Sequence, residues 1–206
     1  VVIADVGSQA TLTHEQIADG CGEVVKHAVI ADPELFAELE KTPLTLKLLN
    51  QDVARVALII ARNIDIKRAV VVADERETNQ RKLLNFGHSA GHAVEACEHF
   101  ELGHGNCVSI GMGIITRAAA LHGICDAELP GRIEELCARH GLKTRCELSA
   151  DAIFAEALHD KKRAGDTIDL VIPHGIGRCS IDRTPLSTFH DLLAEGLGQK
   201  GDVSAC

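Results

Sequence analysis

The sequence predicts a mainly α fold, a multihelical array with one small β-hairpin, and three observations point that way. Apolar residues make up 46% of the chain but aromatics only 2%, with no Trp or Tyr. The core therefore has to be built from Ala, Val, Leu and Ile, a composition that favours closely packed helices. Apolar positions recur at helical spacing along most of the chain. Near Thr167 the period switches to alternation, turns at a glycine pair, and alternates again before a last helical stretch. At 206 residues the chain is one domain, or one domain and a fragment.

Taken in order, residues 1–5 (VVIAD) read as a short buried strand. It opens the chain without an initiator Met and needs partners, so the sequence is expected to be cut from something larger. Thr13 and Gln16 make a capping box that starts a helix running to about Ile30. Asp32-Pro33 stops that helix and caps the next, over residues 34–41. After a TPLT turn, Asn50 caps a long helix whose Val53, Val56, Ala57, Ile60 and Ile64 form one stripe, with Lys67 and Arg68 near its end. A charged stretch, 74–82, leads into a helix expected over 82–98, and a second apolar helix follows over 105–123. Helices at 127–140 and 150–161 come next, the latter capped by Ser149 and ended by a DKKR run whose cations suit a helix C-terminus. Residues 167–172 and 178–181 pair as the hairpin around HGIG, and 187–196 form the last helix. That HGIG is a turn and not a dinucleotide loop, because G-x-G-x-x-G is incomplete and no helix follows it.

A net charge of −9 gives no footprint for nucleic acid or an anionic membrane, so an anionic substrate would need a local basic cluster. No apolar run reaches membrane-spanning length and no signal peptide is visible. The eight cysteines are scattered with no C-x-x-C pair. They read as small buried hydrophobes in a reducing, cytoplasmic setting.

The chemistry concentrates in residues 83–113, which hold His88, His92, His99 and His104. On one helix, His88 and His92 stand at i and i+4 and share a face. Gly87 and Gly91 beside them would let another backbone approach and bury that face. With His104 twelve residues on, the pattern suits a divalent metal held by imidazoles. A second cluster, GEVVKH, sets Glu23 and Lys26 at i and i+3 in an apolar run. From spacing alone, a surface ion pair is the simpler account of it.

Four segments carry a resemblance: GEVVKHAVI, DERETNQRKLLNFGHSAGHAVE, HGNCVSIGM and HDKKRAGDTIDLVIPHGIG. In order and spacing they are similar to the C-terminal half of the 3-dehydroquinate synthase family. The resemblance implies residues 1–12 as the end of a nucleotide-binding domain or a linker, 13–196 as the helical metal- and substrate-binding domain, and 197–206 as a disordered tail. It implies Zn2+ or Co2+ on Glu23, His88 and His104, and NAD bound mainly by an N-terminal half outside this sequence. The activity implied is cyclisation of the phosphorylated sugar acid DAHP to 3-dehydroquinate, with loss of phosphate, by a homodimer when full length. Lys67 and Arg81 would hold the substrate carboxylate. Asn85, His92 and either Lys161 or Lys162 would hold the phosphate end, and Lys26 a ring hydroxyl.

The chain departs from the family pattern at Asn106, where an acidic residue is usual, and at His27. Related cyclases that make deoxy-inosose or valiolone rings share the metal motif. Iron-type alcohol dehydrogenases share the H-x-x-x-H pair but not the E-V-V-K cluster. A free-standing, non-catalytic metal-binding module is the alternative of a different class. Spacing nominates His88 with His92 as ligands, whereas the resemblance nominates His88, His104 and Glu23.

Overall fold

The computed structural model describes residues 4–74, 80–160 and 165–199. Its α-helices are α1 (His14–Ala31), α2 (Pro33–Lys41), α3 (Leu46–Gln51), α4 (Val53–Ala73), α5 (His88–Cys97), α6 (His104–Leu121), α7 (Leu129–Arg139), α8 (Ala150–Asp160) and α9 (Leu186–Leu197). Strands β1 (Thr167–Gly175) and β2 (Arg178–Pro185) form an antiparallel hairpin, and 3-10 helices occupy Val6–Thr11 and Gln80–Asn85. The architecture is the expected helical array with one hairpin.

Helix α6 is the axis of the packing. Most of its length is buried, and α5, α1, α7, α9 and β1 all lie against it. Aliphatic side chains fill most of the core, yet Phe36, Phe86 and Phe189 are among its largest fully buried members.

Local chemistry sets most boundaries. Thr13 and Gln16 form the capping box of α1, and Asp32 caps α2 with Pro33 at its first position. Four expectations are corrected. Ala4 and Asp5 carry no strand, and residues 1–3 lie outside the described residues. The Asp5 carboxylate instead caps the 3-10 helix, accepting from Gly7 N at 2.9 Å. Asn50 sits inside α3, and Asp52 caps α4 by accepting from Arg55 N. A six-residue helix is too short to show a periodic stripe, which is why the sequence reading passes from the TPLT turn to Asn50 without α3.

The single helix expected over 82–98 is broken. Gly87 adopts φ 77°, and a Cβ there would lie 2.6 Å from both Val108 O and Met112 Cγ. Packing against α6 thus imposes a left-handed residue that ends the 3-10 turn and starts α5. Ordered structure also continues past 196. Gly198 closes α9 at φ 71°, and the Gln199 amide bonds Ala150 N and Leu148 O, each at 2.9 Å.

Candidate functional site

Three helices bring the candidate residues together, and glycine marks each crossing. Gly22, next to Glu23 on α1, meets Gly105, next to His104 on α6, so closely that a Cβ on Gly22 would lie 2.6 Å from Gly105 Cα. Gly91, next to His92, sits against Cys107 O on α6 in the same way. Glu23, His92 and His104 are therefore each one residue from a point where backbones touch, and that fixes where the side chain starts.

His88, His92 and His104 form the one group of potential metal donors among the described residues, with ligand atoms all within 4.8 Å of one another. Their ring centroids are 5.2 to 5.8 Å apart. The expectation that the glycine positions would bury the histidine face is half right. One helical position separates glycine from histidine, so the glycines pack on α6 while His92 stays exposed and His88 is only partly buried.

Glu23 joins this group through His88, whose Nε2 lies 3.5 Å from Glu23 Oε1. Both Glu23 oxygens accept from Lys26 Nζ, at 2.9 and 2.8 Å. The pair is not the surface pair that spacing suggested, since Lys26 is only 2% exposed. Burial pulls Lys26 below the usual amine range despite its carboxylate partner, with the Lys67 charge adding to the effect. Burial also pushes the Glu23 carboxyl up, but the Lys26 charge and hydrogen bonds outweigh it, and Glu23 ends below its ordinary value.

The histidines differ in their second nitrogen. His88 Nδ1 lies 3.2 Å from Phe86 O, and His104 Nδ1 lies 3.4 Å from Glu95 Oε2. Both partners only accept, so each Nδ1 carries the proton and each Nε2 lone pair is left for a ligand. Burial, then the Lys26 charge, lower His88 to about 4, which keeps it neutral at physiological pH. His27, where the chain departs from the family pattern, is buried, with Nδ1 3.0 Å from Asn63 Oδ1 and Nε2 without a hydrogen-bond partner among the described residues.

Beside the group opens a cavity of about 1050 Å³ lined by Asn85, His88, His92 and Glu95, by Glu156 and His159 of α8, and by Thr167, Asp169 and Arg183 of the hairpin. Asn85 and Arg81 come from the 3-10 turn, where Arg81 N donates to Asp74 Oδ2 at 3.1 Å. Lys67 is exposed on α4. Lys161 and Lys162 lie outside the described residues. Sequence reasoning missed Glu95, and also the Lys82–Asp169 ion pair, 2.6 Å, on the cavity wall. Glu95 had a signal, seven residues after His88 and on the same helical face; the ion pair joins residues 87 apart and had none.

The family model described as 3-dehydroquinate synthase C-terminal matches residues 20–163. A 3-dehydroquinate synthase of Acetivibrio thermocellus is 38% identical over 186 residues, covering 88% of this chain and 51% of that protein. One from Streptococcus suis is 35% identical over 194 residues, covering 93% and 54%. The chain thus spans about half the length of these curated relatives. Among solved structures, 2-epi-5-epi-valiolone synthase from Streptomyces hygroscopicus, with NAD+ and Zn2+ bound, superposes at TM-score 0.81 with 24% identity over 94% of this chain and 54% of its own. A 2-deoxy-scyllo-inosose synthase complexed with carbaglucose-6-phosphate, NAD+ and Co2+ superposes at 0.74 with 20% identity over 94% and 55%. The chain shares the fold of these two solved synthases and belongs to the 3-dehydroquinate synthase family, of which it carries the C-terminal domain.

Proposed function

We propose that this chain is the metal- and substrate-binding half of a 3-dehydroquinate synthase, converting DAHP to 3-dehydroquinate with loss of phosphate. The observation that carries the reading is the donor set: His88 and His104, each with Nδ1 anchored and Nε2 left for a ligand, and Glu23 against His88. Neutral imidazoles with a carboxylate suit Zn2+ or Co2+. Such an ion, when bound, acidifies coordinated hydroxyls of the substrate and eases hydride departure toward NAD, which we assign mainly to a nucleotide-binding half.

The chain's own residues do the rest. Lys26, one turn from Glu23, donates to a ring hydroxyl. Lys67 and the Arg81 fork take the carboxylate, and Asn85, His92 and Lys161 or Lys162 take the phosphate end. His92, exposed on the cavity wall, is kept for substrate, since a fourth protein ligand would close a coordination position. We further propose a homodimer for the full-length enzyme and a reducing, cytoplasmic setting, supported by the free state of the seven cysteines in the described residues. The curated relatives named above favour DAHP over the carboxylate-free sugar phosphates of other cyclases.

The test joins this chain to a nucleotide-binding half and follows phosphate release from DAHP with NAD and Zn2+ or Co2+. Release is the expected outcome. A folded, metal-loaded protein inert toward DAHP but active on a sugar phosphate without a carboxylate would reassign it to another cyclase.

A further inference from the structure

We infer that Glu95 is a positioning residue that fixes the tautomer and orientation of His104, and through it sets the metal affinity of the site. The inference rests on the metal reading of the proposed function and extends it beyond the donor set. Glu95 leaves α5 on the face that carries His88 and His92, and its Oε2 lies 3.4 Å from His104 Nδ1 on α6. A carboxylate can only accept there, so the contact requires a proton on Nδ1 and leaves Nε2 unprotonated. An imidazole whose N–H points at an anion is a stronger donor to a cation on its other nitrogen.

Two further observations single out this contact. His88, with its side chain 13% exposed, has its Nδ1 bonded to the main-chain carbonyl of Phe86. His104 is 41% exposed and has no such main-chain partner among the described residues. It is the ring whose tautomer water would otherwise scramble, and it is the one whose Nδ1 is given a carboxylate. Glu95 itself is 21% exposed and lines the cavity, so it is shielded enough to hold one orientation.

The experiment uses the chain as it stands, with Zn2+ and Co2+ as probes and nitrogen NMR of its histidines without metal. Glu95→Ala should weaken binding by about 10- to 100-fold, the range for loss of such outer partners. It should also shift metal-free His104 from the Nδ1–H form toward the Nε2–H form. Glu95→Gln, nearly isosteric and still able to accept through its amide oxygen, should keep the Nδ1–H tautomer and lose less affinity. Wild-type affinity and tautomer in Glu95→Ala would overturn the inference. So would a loss of metal in both variants with the His104 tautomer unchanged, which would make Glu95 a ligand in its own right. A wild-type chain that binds neither ion would overturn the metal reading, and the tautomer measured without metal separates that failure from failure of the Glu95 contact.

Discussion

On one wall of the cavity, α5 lies against α6 through Gly87, Gly91 and Gly111, whereas on the other the 3-10 turn at Gln80–Asn85 reaches β1 through the Lys82–Asp169 ion pair. The helical wall has no slack. A Cβ on Gly111 would come 2.0 Å from Gly87 O. The ion pair on the hairpin wall joins two side chains that are 30% and 37% exposed. The helical side carries the three imidazoles and the hairpin side carries Asn85 and Arg183, so close packing sets where the potential metal donors stand, while partly exposed polar side chains line the other side of the cavity.

The largest effect is expected where that packing is tightest. A Cβ on Gly105 would lie 1.8 Å from Asp19 O, a main-chain atom of α1 that cannot move without moving the helix. Gly105→Ala should therefore cost about 3 kcal/mol, or roughly 6–12 °C in Tm for a chain of this size, and weaken metal binding along with it. Gly131→Ala is the control, because nothing lies within 4 Å of a Cβ there and the position is helical. It should be neutral or slightly stabilising. Equal Tm values for the two variants, by calorimetry, would show that the α1–α6 crossing has more slack than its geometry allows.

Next in size is the division of labour among the imidazoles. His88→Ala and His104→Ala should each weaken Zn2+ or Co2+ binding by about 100-fold or more, while His92→Ala should stay within about tenfold of wild type. Glu23 calls for the amide, Glu23→Gln, since Glu23→Ala would strip the nearly buried Lys26 of its partner and confound metal loss with unfolding. Metal content of the purified, folded variants decides the matter. A His92 variant as metal-poor as the His88 variant would move the site to the three-histidine arrangement that spacing alone suggests.

How much of this was legible in the sequence follows the same divide. The capping box at Thr13, the Asp32-Pro33 junction, the hairpin and the His88–His92 face depend on neighbours a few residues apart, and local patterns report them. The break at Gly87 does not, because its positive φ is imposed by Val108 and Met112 on another helix. Asn50 and Asp52 are both good caps, and only the tertiary placement of α3 selects Asp52. The burial of Lys26 was likewise hidden, since an i, i+3 ion pair reads the same on a surface as in a core. The nomination of Glu23, His88 and His104 came from family resemblance; the structure gathers His88, His92 and His104 and sets Glu23 against His88.

The smallest effect concerns the ion pair on the hairpin wall. Ion pairs in contact with solvent contribute about 0–1 kcal/mol, and this one is only partly buried, so Lys82→Ala should leave Tm and metal content nearly unchanged. Its consequence lies in the cavity, where removing Lys82 would take away the Asp169 carboxylate's cation and leave that charge facing the anionic substrate we propose. In the assembled enzyme, KM for DAHP should rise by roughly 2- to 5-fold, the equivalent of about 0.5–1 kcal/mol, with kcat little changed. Removing both charges, Lys82→Ala with Asp169→Ala, should bring KM back toward wild type, because the repulsion goes with the carboxylate. If the pair instead serves to hold the turn that carries Arg81 and Asn85, the double variant will be as poor as Lys82→Ala or poorer. The sign of the coupling in that double-mutant cycle therefore tells whether the hairpin wall acts through its charge or through its grip on the turn.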